Sequence, residues 1–375
     1  MTASACRQIG GPLFPLAGGR RAAARGAAAA LCLALLGCQA LGPATLAAGR
    51  GAYNDVIART SAEQTLGLVV RMRYSDPVGL LTVSSVTANL QFALSAKSEI
   101  GIGPESHYNG NLVPLTAGVG YEDNPTISYT PIEGQAFLRE WLAPLSLVSL
   151  VSVMQEARHS SAFVPLLVER MNHLRSGPDA SDDERDGFLH VAATLGELHR
   201  RGIATWSGEK GPPERYELTL SGYAPDAQTE VEDLLQRLDV RGDTGSGAPI
   251  HIPIELGAPD GTRASLRLDT RSVAGIMRTV ADLIEVPEKD VAAGVVTPNE
   301  SPSAAGDLAL RIRSSDGYPS HANLAVSHRG SWFYLDDTDL ASKAIFQGVQ
   351  TLFQSRLADA TRAGAGTPVL TLPVR

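Results

Sequence analysis

The sequence has little cysteine and no hydrophobic run long enough to cross a membrane. Three cysteines occur among the 375 residues, Cys6, Cys32 and Cys38. The apolar stretch at residues 27–36 is far shorter than the roughly 20 apolar residues of a membrane-spanning helix. These shortages argue against a disulfide-stabilised scaffold and against an integral helical membrane protein, so the fold must depend on its hydrophobic core.

Basic residues are also few. The chain has 32 lysines and arginines against 40 acidic residues, a formal net charge of −8. Residues 1–37 hold four arginines and no acid, so the remainder has 28 basic and 40 acidic residues. Binding to nucleic acid needs a basic face for the phosphates. The charge balance therefore excludes nucleic acid as a partner and argues against peripheral binding to anionic lipid.

Familiar catalytic and cofactor motifs are missing. The sequence has no G-x-S-x-G, no Walker loop and no H-E-x-x-H zinc motif. Of its eight histidines, His190 and His199 lie about two and a half helical turns apart and would face nearly opposite sides of a helix. We therefore predict no metal, no cofactor and no catalytic residue, and expect these histidines at polar positions on solvated helix faces.

The beginning of the chain carries an export signal. Arg21 and Arg25 precede the apolar run, which ends in Leu35-Leu36-Gly37-Cys38. This ending resembles the bacterial lipobox, and the resemblance implies a signal peptide at 1–37 and diacylglycerol and acyl (palmitate) chains on Cys38. By the same resemblance, Gln39 after the cysteine implies sorting to the outer membrane, and the body is expected to face the periplasm. Residues 38–51 would then be a small, Gly/Pro-bearing tether.

Residues 52–178 are predicted to form an N-terminal region of helix, long antiparallel hairpin and further helices. Apolar residues recur at helical spacing from Tyr53 to Met72. Strict alternation then marks strands within 80–131, with a change of phase at Ser84-Ser85 that is typical of a bulge. Residues 133–202 return to helical patterns, including a helix that begins near Pro165 and ends at Gly177-Pro178.

Residues 179–375 are predicted to form a C-terminal mixed α/β sheet domain, with a boundary near 177–182. The segments 241–249 and 287–306 are predicted loops. Predicted strands are 203–207, 214–221, 250–255, 263–269, 307–313, 323–328, 331–335 and 368–373, and predicted helices are 226–239, 271–285 and 339–357. The whole chain is thus expected to be α+β.

One acidic cluster stands out near the end of the chain. Asp336, Asp337 and Asp339 follow a strand that carries Trp332 and Tyr334 on one face. Clustered carboxylates can bind a hard cation or perform acid/base chemistry. Because a helix begins just afterwards, the favoured interpretation is that these residues cap it and suit its positive end.

Three segments resemble a family of uncharacterised bacterial outer-membrane lipoproteins: YNDVIARTSAEQTLGLVVRMRYSDP, NPTISYTPIEGQAFLREWLAPL and HRGSWFYLDDTDLASKAIF. They occur in a consistent order across most of the chain. The matching positions are Tyr53, Asn54, Glu63, Gln64, Arg71, Arg73, Tyr74, Asp76, Ser128, Tyr129, Thr130, Pro131, Trp332, Phe333, Tyr334, Asp336, Asp337, Ser342 and Lys343. Thr65, Gly67 and Leu68 depart from the family pattern. The resemblance supports the expected location of the protein and does not point to any activity.

Three functions remain open on the sequence alone. The favoured one is a lipid-anchored, non-enzymatic envelope protein that docks a partner or helps an assembly. The second is an oligomeric outer-membrane pore or secretion component to which several subunits contribute the 80–131 hairpin. The third is an envelope hydrolase that uses Asp336 and Asp337.

Overall fold

The computed structural model describes residues 51, 53–87, 90–97, 116–123, 126–131, 134–156, 160–177, 179–209, 211, 213–298, 310–363 and 370–373. Cys38, the predicted signal peptide and the predicted tether up to residue 50 lie outside the described residues. The chain divides into two units, Met1–Thr60 and Ser61–Arg375. In the first unit, residues 51 and 53–60 are described, and they are helical.

Helices and strands are mixed along the chain, which confirms the α+β class. The first helix, α1, covers residues 53–73. The other helices are α2 (Gln135–Leu142), α3 (Leu147–Glu156), α4 (Ser160–Leu167), α5 (Asp182–Arg200), α6 (Pro225–Leu238), α7 (Val273–Asp282), α8 (Glu288–Ala292) and α9 (Leu340–Ala363). The strands are β1 (Leu81–Thr87), β2 (Leu90–Lys97), β3 (Thr116–Asp123), β4 (Thr126–Pro131), β5 (Val168–Met171), β6 (Leu174–Arg175), β7 (Ala204–Glu209), β8 (Arg215–Leu220), β9 (Ile250–Leu256), β10 (Leu266–Thr270), β11 (Arg313–Ser315), β12 (Ala322–His328), β13 (Ser331–Asp336) and β14 (Leu370–Pro373).

The predicted long hairpin is confirmed. β1 pairs with β4 and β2 pairs with β3, both antiparallel, in one register from Leu81–Pro131 to Lys97–Thr116 except for a single shift. That shift lies between Val83 and Ser85, where the sequence predicts a change of phase. β14 pairs with the other edge of β4 and completes a three-stranded sheet.

A six-stranded sheet has the order β6-β5-β10-β9-β8-β7. Its pairs are antiparallel except for β9 and β10, which run parallel. β5 and β6 precede the predicted boundary at 177–182, and the other four strands follow it. Strands from both sides of that boundary therefore share one sheet.

The predicted helix from Pro165 to Gly177 is wrong in its second half. Helix α4 contains Pro165 and ends at Leu167, and residues 168–175 form the hairpin of β5 and β6. Asn172, at the turn, has a φ of 51°, a left-handed conformation that asparagine tolerates well. Its side chain also donates to the carbonyl of Leu238 and accepts from the backbone of Arg267, contacts that only the folded chain supplies.

The third sheet, in the order β11-β13-β12, carries the C-terminal acidic cluster at the end of β13. Residues Arg329 and Gly330 join β12 to β13 as a two-residue turn, and their φ angles are 49° and 77°. Positive φ at both positions is the type I′ geometry that suits hairpin twist. β12 is an edge strand of this sheet.

Buried apolar side chains of the second unit form one cluster. It includes Leu66 from α1, Phe188 from α5, Leu268 from β10, Phe333 from β13 and Phe353 from α9. The helix pattern predicted for the N-terminal region is confirmed, because Leu66, Val69 and Val70 recur at helical spacing and are fully buried.

One predicted loop needs correction, since 287–306 contains the short helix α8 after Pro287.

Candidate functional site

The end of α1 meets the turn between β12 and β13. After α1, Ser75 adopts a left-handed φ of 56° and turns the chain, so that Asp76 faces the hairpin. Nε2 of His328 lies 2.9 Å from Oδ2 of Asp76, and Arg329 donates to both carboxylate oxygens at 2.7 and 3.2 Å. The bonds from Arg329 hold the pKa of Asp76 below its ordinary value, and His328 adds to this effect.

Tyr74 packs inside the same junction. Its ring centroid lies 5.1 Å from that of His328 and 5.9 Å from that of Phe333, and the guanidinium of Arg329 stands 5.4 Å from the ring. Its hydroxyl donates to Oδ2 of Asp290 in α8 at 2.6 Å. Burial, followed by the bond to Asp290, raises the pKa of Tyr74.

Arg73 makes a third connection. It donates to the hydroxyl and to the carbonyl of Thr297, at 3.1 and 2.8 Å. Arg73, Tyr74 and Asp76, all in the segment singled out near the start of the chain, thus bind three different parts of the C-terminal half. The first and last segments of the family resemblance therefore come together in space.

Beside this junction lies a groove of about 410 Å³ between α1 and β12. We call it the α1–β12 groove. Its lining residues are Glu63, Gln64, Gly67, Leu68, Val70, Arg71, Val78, Gly79, Val326, Ser327 and His328. Leu68 and Val70 are buried, whereas Arg71 and Val78 are exposed, so the groove has an apolar floor and a partly polar rim.

Two lining residues give the groove its character. A Cβ added at Gly67 would meet nothing within 4 Å, so glycine leaves open space on this face of the helix. The guanidinium of Arg71 is exposed, and within the described part of the chain it has no hydrogen-bond or ion-pair partner. Glu63, on the same helix, does have a partner. Sequence reasoning missed the groove, because the opposite wall comes from residues 326–328.

The acidic cluster at the end of β13 is occupied by its own neighbours. Asp336 accepts the backbone N–H and the hydroxyl of Thr338 at 2.9 and 2.6 Å. These bonds are the main cause that lowers the pKa of Asp336; His321 and Arg313, each 3.4 Å away, contribute less. Asp337 pairs with Lys343 at 2.6 Å, and this lysine lowers the pKa of Asp337.

Asp339 caps the last helix. Its Oδ1 accepts the backbone N–H of Ser342 at 3.0 Å, and its Oδ2 accepts the hydroxyl of that buried serine at 2.8 Å. Ser342 in turn accepts the backbone N–H of Arg311 at 2.8 Å. The geometry agrees with capping of α9. Trp332, near the start of β13, lies edge-on to the exposed ring of Tyr318 with centroids 4.9 Å apart, and Tyr334 packs edge-on to His321.

The two helical histidines go to separate partners. His190 contacts Asp233 at 3.0 Å, and His199 contacts the carbonyl of Ala204 at 3.0 Å. Among the described residues, no group of three His, Cys, Asp or Glu side chains could hold a metal ion. The same residues include no helix that combines the length and apolar character needed to cross a bilayer.

Comparison with known proteins adds no assignment. A scan against protein-family models finds no match, and searches of curated proteins and of solved structures find none either.

Proposed function

We propose that this protein is a lipid-anchored protein of the bacterial outer membrane that docks a partner protein on its periplasmic body and has no enzymatic role. The observation that carries the docking proposal is the α1–β12 groove, which has an apolar floor and, at its rim, the cation of Arg71, for which the described residues supply no partner. Exposed concave surfaces of this kind with a few polar groups are typical of binding sites. The anchor rests on the lipobox-like ending at Cys38.

Docking is tested by site-specific photo-crosslinking in cells. A photoreactive residue at Gln64 should give an adduct of defined mass with one protein, whereas the same residue at Thr229, exposed on α6 outside the groove, should not. The Gly67→Phe substitution, which fills the groove, should abolish the adduct from Gln64. Identical adducts from both positions, or adducts indifferent to Gly67→Phe, would contradict docking at this surface.

Membrane location is tested separately, by density fractionation of envelopes and by protease treatment of intact and permeabilised cells. The protein should fractionate with the outer membrane. Protease should degrade it in permeabilised cells and leave it whole in intact cells. Degradation in intact cells would place the body outside the periplasm.

A second candidate function is an oligomeric pore or secretion component, and one observation favours it. β1 and β2 pair antiparallel with β4 and β3, respectively, in nearly constant register. β1 and β2 together, like β3 and β4 together, exceed the roughly 9–11 residues of strands that cross the outer membrane. Light scattering of the purified protein and conductance across planar bilayers test this function. A monomer that gives no conductance would eliminate it.

A further inference from the structure

Among the described strands, the third sheet ends at β12, beside the groove. β12 pairs with β13 alone among the described strands, so every second residue of β12 directs its N–H and C=O away from the sheet. Val326, Ser327 and His328 of this strand line the α1–β12 groove. An unpaired edge at a groove is where an extended peptide can add as a further strand.

The opposite wall of the groove is open at Gly67. A paired strand would lie about 4.8 Å from β12. On the helix side, Gly67 has no Cβ, and a Cβ built there would meet nothing within 4 Å beyond its chain neighbours and the helix's own backbone. Glycine within a helix is about 1 kcal/mol less favourable than alanine. No close packing at Gly67 offsets this, which points to use of the open space.

The charges at the rim select the chemistry of the occupant. His328 and Arg329 are held by Asp76, and Arg73 is held by Thr297. Arg71 remains as a groove cation without a partner in the described part of the chain. A carboxylate is the complement of an unpaired guanidinium, since it can accept two parallel charge-assisted bonds.

We propose that the α1–β12 groove binds an extended segment of a partner protein, which adds to the edge of β12 as a fourth strand and pairs one acidic side chain with Arg71. This inference rests on the proposed docking function and specifies its ligand. Backbone bonds to β12 supply the main affinity, the apolar floor receives a side chain of the peptide, and Arg71 requires an acidic residue in register.

A display library of 12-residue peptides tests the proposal, selected on the detergent-solubilised full chain and counter-selected on the Gly67→Phe variant. Enriched sequences should share one acidic position within an alternating pattern. For a synthetic peptide of that sequence, Arg71→Gln should weaken binding by about 10- to 100-fold, as should Glu→Gln in the peptide. The two changes together should be no worse than either. The matched control Arg71→Lys keeps the charge but loses the two parallel bonds, so it should weaken binding less than Arg71→Gln does.

Backbone N-methylation of the peptide needs no variant of the protein. Methyl groups on alternate amides of one parity should weaken binding by at least about 10-fold, because they remove donors to β12, and those on the other parity should have little effect. Binding that survives both patterns would overturn strand addition. Failure of any peptide to enrich on the parent over Gly67→Phe would overturn the proposal.

The crosslinking and peptide experiments test docking and the extended-peptide mode of binding separately. If the Gln64 crosslink forms in cells while no peptide enriches, docking stands and the extended-peptide mode is rejected. If the crosslink itself is missing, docking at this surface fails. Melting curves of Gly67→Phe and Gly67→Ala verify that the variants are folded.

Discussion

Asp76 and His328 are 252 positions apart in the chain, and their side chains lie 2.9 Å from each other. Because Arg329 binds the same carboxylate, the end of α1 and the β12–β13 turn are held together by one acidic residue. The contact fixes one end of the α1–β12 groove, since His328 lines it. A substitution that breaks the contact between Asp76 and His328 should therefore also alter the binding of a partner in the groove.

The Asp76 carboxylate makes stability depend on acidity. Its pKa is lowered in the folded protein, so its contribution is present above its ordinary pKa of about 4 and is lost as the pH falls below that value. We expect Asp76→Asn to lower the free energy of unfolding at pH 7, and the difference in this free energy between variant and parent to become smaller below pH 4. Urea unfolding of both proteins between pH 3 and pH 7 measures this difference. A difference that does not change with pH would show that the charge of Asp76 has no role.

Tyr74 supplies the hydrogen bond of a buried carboxylate. In Tyr74→Phe, Asp290 would lose the hydroxyl that lies 2.6 Å away, and we expect a loss of about 1–3 kcal/mol in the free energy of unfolding. A double-mutant cycle with Asp290→Asn tests the assignment. Coupling near zero between the two substitutions would contradict it. Because the pKa of Tyr74 is raised, its contribution should persist up to about pH 10 and be lost above it.

Two helical glycines should respond in opposite directions. Gly67→Ala adds a methyl group to open space, and we expect the free energy of unfolding to rise by up to about 1 kcal/mol. Gly348→Ala would place a Cβ against the buried ring of Phe163, and overpacking of this kind lowers stability by about 1–3 kcal/mol. Chemical denaturation of both variants measures the contrast. Equal effects would show that the space around the two glycines is not as the structure has it.

Substitutions in the acidic cluster distinguish a capping role from a catalytic one. Asp339→Ala removes the cap of α9 and should lower stability by about 0.5–2 kcal/mol, whereas Asp337→Ala, at an exposed ion pair, should leave the melting temperature nearly unchanged. An envelope hydrolase would instead lose turnover of a substrate on Asp337→Ala with the fold intact. Melting curves, together with growth of cells that carry each variant, distinguish the two roles.

Cys38 determines the proposed location. In cells fed radiolabelled palmitate, the parent should incorporate label and Cys38→Ala should not, and the variant should no longer fractionate with the outer membrane. Cys38→Ser, which keeps the size of the side chain, is the matched control and should behave like the alanine variant. Label on either variant, or unchanged fractionation, would contradict the anchor.

Elements with a strong period could be predicted from the sequence. The alternation around Val86 and the phase change at Ser84-Ser85 correspond to paired strands and a register shift, because a residue inserted into one strand moves every later side chain to the other face. The helix over residues 339–357 was also predictable, from its apolar spacing and the acids before it. Its end at Ala363 lies beyond the prediction.

Local sequence patterns gave wrong or missing predictions where contacts between distant segments determine the structure. The apolar segment around Val168 is too short for its period to distinguish a helix from a strand, and it becomes a strand because β10 is there to pair with it. The candidate site was missed for the same reason. Nothing in the sequence connects Arg71 with Ser327, and they become walls of one groove only when α1 lies beside β12.

The sequence by itself determined the class of the fold, the long hairpin, the capped C-terminal helix and the expectation of a lipid at Cys38. Each depends on residues close together in the chain, where spacing fixes the geometry. The tertiary structure alone decided that Asp76 meets His328 and that residues 168–175 join the six-stranded sheet. It also decided that β12, which pairs with β13 alone among the described strands, lines one groove with Arg71. Those relationships depend on packing between segments up to about 250 residues apart, which no local period encodes.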